Sequence, residues 1–318
     1  MTGKKIFLTE QIHADAVAHL KKSLEVVQGT SVEPDDIVLQ AQECEGILVR
    51  SAKITAAMMD RLPNLKVIAK HGIGIDNIDV EGAVKKGIMV VNAPFSNLNA
   101  VAEHSLALLL ALSKNLVHLD KETRNGGFLF RTQYTNIELQ GKTLGLVGFG
   151  RIARMLAKKV SGFEMQVLAS DPYADVEEAK QLGVMLVSRE DLIKQSDFIS
   201  IHVPLMPQTE KMVNREFLRQ MKATAYLVNA SRGAVVDEQA LVEAIQKSEI
   251  AGAGLDVFEP EPPKTDNPLF KCRNVIISPH NAALTDNALR TMAMDSSQGI
   301  IDYLSGHTPQ YLVTPRIK

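Results

Sequence analysis

Short apolar runs alternate with amphipathic stretches along most of this chain. Over the first third, Ile6-Phe7-Leu8, Glu25-Val26-Val27, Gly46-Ile47-Leu48-Val49, Leu65-Lys66-Val67-Ile68-Ala69 and Ile88-Met89-Val90-Val91 read as buried strands. Between them, residues 14–23, 35–42, 55–61 and 79–86 carry the helical period, with Asp35, Thr55 and Asp79 placed as N-caps. Parallel strands need a crossover, and a helix after each strand supplies one, so the alternation predicts parallel, doubly wound sheet. The texture changes at Asn99. Val101 to Leu119 predicts one long helix, and its Leu106–Leu112 stretch is apolar on every side, which requires burial all round, between domains or in a subunit interface. A second alternating series begins at Thr143, with strands near 143–148, 166–170, 184–187, 198–203, 225–230, 252–257 and 275–278, and a long helix over about 285–304 follows. The economical architecture is α/β with two domains: 1–99 plus 284–318, and 100–283 inserted into it. Ligands in such folds sit beyond the carboxyl ends of the strands, so the active site is expected in the cleft between the domains.

Charge and composition narrow the function classes. The 318 residues are 23% charged with a net charge of −2, so no electrostatic footprint points to nucleic acid or an anionic membrane. No apolar run approaches the ~20 residues that span a bilayer, and Met1-Thr2-Gly3-Lys4-Lys5-Ile6 has no signal-peptide core. Cys44 and Cys272 stand far apart and are expected as buried thiols in a reducing cytosol, giving a cytoplasmic protein. The histidines lack metal-ligand spacing, and no metal site is expected.

One stretch carries a specific chemistry. Gly145-Leu146-Val147-Gly148-Phe149-Gly150-Arg151-Ile152-Ala153 reads as strand, glycine turn and helix start, the dinucleotide fingerprint in its G-x-G-x-x-A form. Gly148 suits the tight turn, and Gly150 lets backbone N–H groups, with those of Arg151 and Ile152, approach a pyrophosphate at the helix N-terminus. Asp171, ending the next strand, is placed for the adenosine ribose hydroxyls, and no Arg or Lys occurs at 172–176 to receive a 2′-phosphate. NAD(H) is the expected cofactor. The rival phosphate motif at Gly141-Lys142-Thr143 fails, because Asn136 stands where a P-loop needs its first glycine.

Three further strand ends deliver polar groups. Arg232 follows Tyr226–Asn229, Glu259 and Glu261 follow the Gly252–Phe258 run, and His280 ends Val275-Ile276-Ile277-Ser278-Pro279. A guanidinium can clamp a carboxylate in two places, and an imidazole beside a carboxylate can move an alcohol proton.

With these in place the chain resembles the D-isomer-specific 2-hydroxyacid dehydrogenase family, and within it the D-3-phosphoglycerate dehydrogenase branch. The similarity runs through Gly72-Ile73-Gly74-Ile75-Asp76-Asn77-Ile78-Asp79, Asn92-Ala93-Pro94-Phe95-Ser96-Asn97, Val101-Ala102-Glu103, Gly141–Gly145, Asn229-Ala230-Ser231-Arg232-Gly233, Leu255–Pro262 and Ser278-Pro279-His280. The resemblance implies a Rossmann NAD-binding domain inserted into a flavodoxin-like substrate domain. It makes Arg232 the binder of the substrate's carboxylate and carbonyl oxygen, His280 the acid and base, and Glu261 its carboxylate partner. It places Asp256 on the nicotinamide carboxamide and Val101 against the nicotinamide ring. His202, Val203, Pro204, Thr209 and Ala230 then line the cofactor, and Ile73 and Gly74 bind the substrate carboxylate. Arg50, with Lys70 and His71, is a candidate for an acidic or phosphorylated substrate tail.

The pattern departs from the family in places. Ala153 replaces the third fingerprint glycine, and Phe128 and Phe130 stand where relatives often carry Trp. The sequence stops at Lys318, before the regulatory domain of longer members, so serine feedback is not expected. The implied activity is oxidation of 3-phosphoglycerate, at the entry to serine synthesis, or its reverse. A glyoxylate, hydroxypyruvate or other 2-ketoacid reductase is the alternative enzyme, and an NAD-sensing corepressor-like protein the alternative of another class. Through the apolar Leu106–Leu112 helix, the expected assembly is a homodimer.

Overall fold

Each apolar run of the first third forms a strand in the computed structural model, which describes residues 3–313. The chain divides into two compact units: residues up to Asn97 with those from Ala283 onward, and Leu98–Ala282.

In the first unit β1 (Lys5–Leu8), α1 (Ala14–Leu20), β2 (Glu25–Gln28), α2 (Pro34–Gln40), β3 (Gly46–Val49), α3 (Ala56–Asp60), β4 (Val67–Lys70), α4 (Val80–Lys85) and β5 (Met89–Val91) alternate. The strands are all parallel in the order β2-β1-β3-β4-β5. Successive side chains face opposite sides: Phe7, Ile47 and Val49 join a core with Ile37, Met58 and Ala83, whereas Ile6, Leu8 and Leu48 join Leu20 and Ile300. Both faces are covered, which is why the strands are continuous apolar runs. Each fully buried Leu or Ile contributes about 2 kcal/mol over exposure. Thr55 and Asp79 cap α3 and α4 by accepting from Met58 N (3.3 Å) and Gly82 N (2.8 Å). Asp35 does not cap α2. Pro34 takes the first helical position, where its fixed φ and missing N–H are harmless, and Asp35 falls in the first turn, paired with Arg61 at 2.5 Å.

The second unit opens with α5 (Leu98–Ser113) and α6 (Leu116–Arg124). The single helix expected over 101–119 is therefore two, bent by 59°. Asn115 adopts left-handed backbone (φ 48°), a conformation Asn tolerates better than most residues, and the apolar pattern runs on through Leu116 and Val117 without registering the break. Burial of the 106–112 run is also incomplete within this chain. Leu108, Leu109 and Leu112 are buried, Leu106, Leu110 and Ala111 are half-buried, and Ala107 is exposed. No single helix among the described residues is long and apolar enough to cross a membrane.

Then follow β6 (Thr143–Val147), α7 (Arg151–Val160), β7 (Gln166–Ser170), α8 (Val176–Gln181), β8 (Val184–Leu186), α9 (Arg189–Gln195), β9 (Phe198–Ile201), α10 (Arg215–Gln220), β10 (Tyr226–Asn229), α11 (Glu238–Gln246), β11 (Gly252–Leu255) and β12 (Val275–Ile277). The strand order β12-β11-β10-β9-β6-β7-β8 is parallel throughout and reverses at β6. That reversal opens the crevice where such sheets take ligands. The chain then re-enters the first unit as α12 (Asp286–Leu304), capped by Thr285. Cys44 is buried, but Cys272, on the loop before edge strand β12, is only half-buried.

Candidate active site

All polar candidates of the second unit lie just past the carboxyl ends of its parallel strands. The turn after β6 is built around Gly148, whose φ of +90° favours glycine and where a Cβ would stand only 2.7 Å from His202 O. Gly150 caps α7, is exposed, and has nothing within 4 Å of where a Cβ would stand, so open space adjoins the helix N-terminus. Ala153 is fully buried where α7 packs on the sheet. Past β7, Asp171 accepts from Phe149 N and from Tyr173 N, both at 2.8 Å, so the same carboxylate that closes the glycine turn stays half-exposed beside it. The turn, the clear space and the acid fit a dinucleotide.

The loop after β9 carries His202, Val203 and Pro204. Thr209 closes it by donating to Pro204 O (2.6 Å) and accepting from Met206 N (2.8 Å). His202, bonded to Ser200 Oγ at 2.9 Å, is pushed down to about 4 by burial, so its ring is neutral. Val101, on the first turns of α5, is buried, and Ala230 is half-buried.

Arg232 follows β10. Asn229, the last residue of that strand, accepts from Ser231 N and Ser231 Oγ and donates to Arg232 O, fixing the backbone that presents the guanidinium. Arg232 Nη1 donates to Ser231 O at 2.7 Å. Gly233 then lies against the backbone of Phe258, whose carbonyl oxygen stands 2.0 Å from where a Cβ would be, so only glycine fits. Phe258 N in turn donates to Glu261 Oε1 at 3.0 Å.

His280 Nδ1–H donates to Glu261 Oε2 at 2.6 Å, the pair expected at this position. Burial pushes the Glu261 carboxyl up. The bonds from His280 and Phe258 N, with the charges of His280 and Arg232, outweigh that and hold it below the usual value. A cavity of about 320 Å3 flanks the pair, walled by Phe258, Pro262, Phe270 and Ile277. Glu259 is not part of this cluster; it is exposed, and its backbone N–H is held by Glu238.

Asp256 lies beneath His280. Its side chain is fully buried, and its carboxylate accepts from Ser278 Oγ (2.6 Å), Asn281 N (3.0 Å) and Ala282 N (2.9 Å). The carboxylate thus brackets the turn that carries His280, whose own backbone is left-handed (φ 51°) and whose N–H donates to Asp256 O at 2.7 Å.

The first unit has its own strand-end cluster, at its switch between β1 and β3. Arg50 follows β3, is half-buried, and donates from Nη1 to Gln11 O at 2.8 Å. Glu10, past β1, accepts from Arg50 N (3.1 Å) and Ser51 N (2.7 Å). Burial pushes the Glu10 carboxyl up, and bonds from Ser51, Thr9 and Arg50 hold it below normal. Lys70 donates to Arg50 O and to Asn77 Oδ1, so its ammonium stabilises the turn. His71 is buried, its Nε2 has no partner among the described residues, and burial with the charge of Arg50 lowers it to about 4. The Gly72–Gly74 loop is tied down by Asn92, which donates to Ile73 O, while Ala93 N donates to Gly72 O.

Sequence reasoning gave no role to Glu10, nor to Asn92, Asn229 and Ser278 within the stretches that carry the resemblance; in the structure they hold the backbone around the candidates. Asn229, a polar residue closing an apolar strand, was the one visible signal of this kind.

Residues 106–282 match the family described as D-isomer specific 2-hydroxyacid dehydrogenase, NAD binding domain. The chain is 39% identical over 304 residues to a D-3-phosphoglycerate dehydrogenase of Archaeoglobus fulgidus, covering 95% of this chain and 58% of that protein. It is 37% identical to a glyoxylate reductase of Thermococcus litoralis over 97% of this chain and 96% of that one. Among solved structures, the TT0316 protein from Thermus thermophilus superposes with a TM-score of 0.90 at 34% identity, covering 98% of this chain and 100% of that one. The chain thus spans about three fifths of the phosphoglycerate dehydrogenase it matches and nearly the whole of the reductase. It belongs to the D-isomer specific 2-hydroxyacid dehydrogenase family, and residues 106–282 are its NAD binding domain.

Proposed function

We propose that this chain is an NAD-dependent D-2-hydroxyacid dehydrogenase acting on 3-phosphoglycerate, or in reverse on 3-phosphohydroxypyruvate. The observation that carries the chemistry is the His280 Nδ1–Glu261 Oε2 bond of 2.6 Å, beside the Arg232 strand end. With Nδ1 committed to the carboxylate, Nε2 is the working nitrogen: bare it takes the alcohol proton in oxidation, and protonated it returns one to the developing alkoxide in reduction. Arg232 clamps the substrate carboxylate and stabilises charge on the adjoining oxygen. In the first unit, Ile73 and Gly74 are our candidates for backbone contacts to substrate. The cofactor would be held by the Gly148–Gly150 turn, the N-terminal backbone of Arg151 and Ile152, and Asp171, with Val101, His202 to Pro204, Thr209, Ala230 and Asp256 around it. When bound, NAD accepts or supplies the hydride at C2 of the substrate. The negative charge of Asp171 favours NAD over a 2′-phosphorylated cofactor.

Arg50 is our candidate for the substrate's phosphate, since Lys70 and His71 face inward. The glyoxylate reductase that matches at full length favours a second reading, reduction of a small unphosphorylated 2-ketoacid. NADH oxidation against 3-phosphohydroxypyruvate, hydroxypyruvate, glyoxylate, pyruvate and 2-ketoglutarate separates them, with His280→Ala as control. Preference for the phosphorylated acid supports the first, preference for another supports the second, and tight NADH binding without turnover identifies a sensing protein.

We place the enzyme in the cytosol and assemble it as a homodimer. Ala107, Leu116, Val117, Phe128 and Leu129 expose apolar surface on and after α5 and α6, and a second copy would cover it. Light scattering at micromolar concentration tests this, and a monomer overturns it.

A further inference from the structure

The apolar helix α5 contains one histidine that the chemistry above does not use. His104 Nε2 lies 2.9 Å from Ser278 Oγ and 3.5 Å from Asp256 Oδ1. Ser278 Oγ lies 2.6 Å from that same Asp256 oxygen, and an ionised carboxylate can only accept, so the hydroxyl hydrogen points at Asp256. The Ser278 oxygen therefore accepts from His104, which fixes His104 with its hydrogen on Nε2. The result is a directed chain: His104 Nε2–H to Ser278 Oγ–H to Asp256 Oδ1.

That carboxylate is fully buried and also takes the N–H groups of Asn281 and Ala282, while the Asp256 carbonyl takes the N–H of His280. Two backbone groups after His280 and one at His280 are thus fixed by a single residue, and they hold His280 in its left-handed backbone (φ 51°). Ser278 is two residues from His280, so anything that turns its hydroxyl away leaves Asp256 Oδ1 with the Asn281 N–H as its remaining close donor and loosens the turn.

We propose that His104 is a positioning residue, acting through Ser278 and Asp256 to hold the turn that aims His280 Nε2. This rests on the dehydrogenase reading for its kinetic consequence and on geometry alone for its structural one. His104→Phe keeps the ring's bulk and removes the donor, whereas His104→Gln restores an N–H at comparable reach. Misplacing a proton-transfer group by a fraction of an ångström lowers kcat by about tenfold or more.

The test measures kcat, KM, NADH affinity and the side-chain NMR signals of His280 in wild type, His104→Phe, His104→Gln and Ser278→Ala, and in the double variant of His104→Phe with Ser278→Ala. The expected result is a kcat about tenfold lower in His104→Phe with NADH affinity unchanged, most of it regained in His104→Gln. Ser278→Ala gives a similar loss, the double variant adds little to it, and the His280 signals move in step. Equal losses in His104→Phe and His104→Gln, additive losses in the double variant, or wild-type kcat with unmoved His280 signals would each overturn the proposal. If His104→Phe does not fold, Ser278→Ala and His104→Gln carry the same comparison. If wild type turns over no 2-ketoacid but His280 signals still shift in His104→Phe, the dehydrogenase reading fails and the positioning role stands.

Discussion

Both units end their parallel strands in basic and acidic side chains, yet they use them in opposite ways. In the first unit Lys70 bonds to Arg50 O and Asn77, Glu10 collects the Arg50 and Ser51 N–H groups, and His71 is buried. Lys70 and Glu10 thereby build the turn that carries Arg50, and His71 packs inside. In the second unit the equivalent supporting work falls to Asn229, Ser278 and Asp256, so the His280 and Glu261 side chains stay exposed, paired through the bond between them. Ionisable side chains at strand ends thus divide into those that make the backbone and those that the backbone presents.

The largest effect should fall on the presented side. His280→Ala should lower kcat by about a thousandfold, the usual scale of a lost acid–base group, with NADH affinity and Tm near wild type. Loss of Tm comparable to the loss of turnover would erase the distinction.

His71 should show the reverse, stability without chemistry. Its folded ring resists protonation until about 4, whereas the unfolded ring takes a proton near 6.5, so the unfolded state binds more protons between those values. Stability is full above about 6.5, declines as pH falls, and has lost about 3 kcal/mol by pH 4, levelling off below that as the folded ring also takes its proton. His71→Phe should flatten that decline in thermal melts between pH 7 and pH 4 while leaving kcat near wild type. A steep kcat change would move His71 into the chemistry.

Glu10→Gln keeps one acceptor oxygen and loses the charge that draws two N–H groups and two hydroxyls, so it should cost about 1–2 kcal/mol of stability in denaturant melts. A rise in KM should accompany it as the Arg50 turn relaxes. The smallest effect expected is in Arg50→Met, a KM increase of about tenfold for a phosphorylated substrate and none for glyoxylate, with kcat unchanged. Equal effects on both substrates would show that Arg50 belongs with the backbone-making groups.

How much of this could be read beforehand follows the same division. Strands such as Gly46–Val49 and Thr143–Val147 were legible because burial on both faces leaves little room for polar positions in them. The Gly148 turn was legible because few residues accept its φ, and Arg232 and His280 because each follows an apolar run. The break at Asn115 was hidden, since apolar residues continue on either side and one left-handed residue leaves no periodic trace. The inward role of Lys70 was hidden too: a lysine at a strand end reads alike whether its ammonium turns toward a ligand or back onto a carbonyl. His104 was invisible because its partners, Ser278 and Asp256, lie far away in sequence.

Gly233 draws a different consequence. With no side chain, it lets the Arg232 strand end rest directly on the backbone of Phe258, three residues before Glu261. The two halves of the reactive apparatus are therefore welded at one atom's width. In a saturation library selected for turnover, position 233 should be as intolerant as His280 although it has no chemistry of its own. Efforts to retune the enzyme would do better to vary the walls of the neighbouring cavity, Phe270 and Ile277, and leave that weld alone.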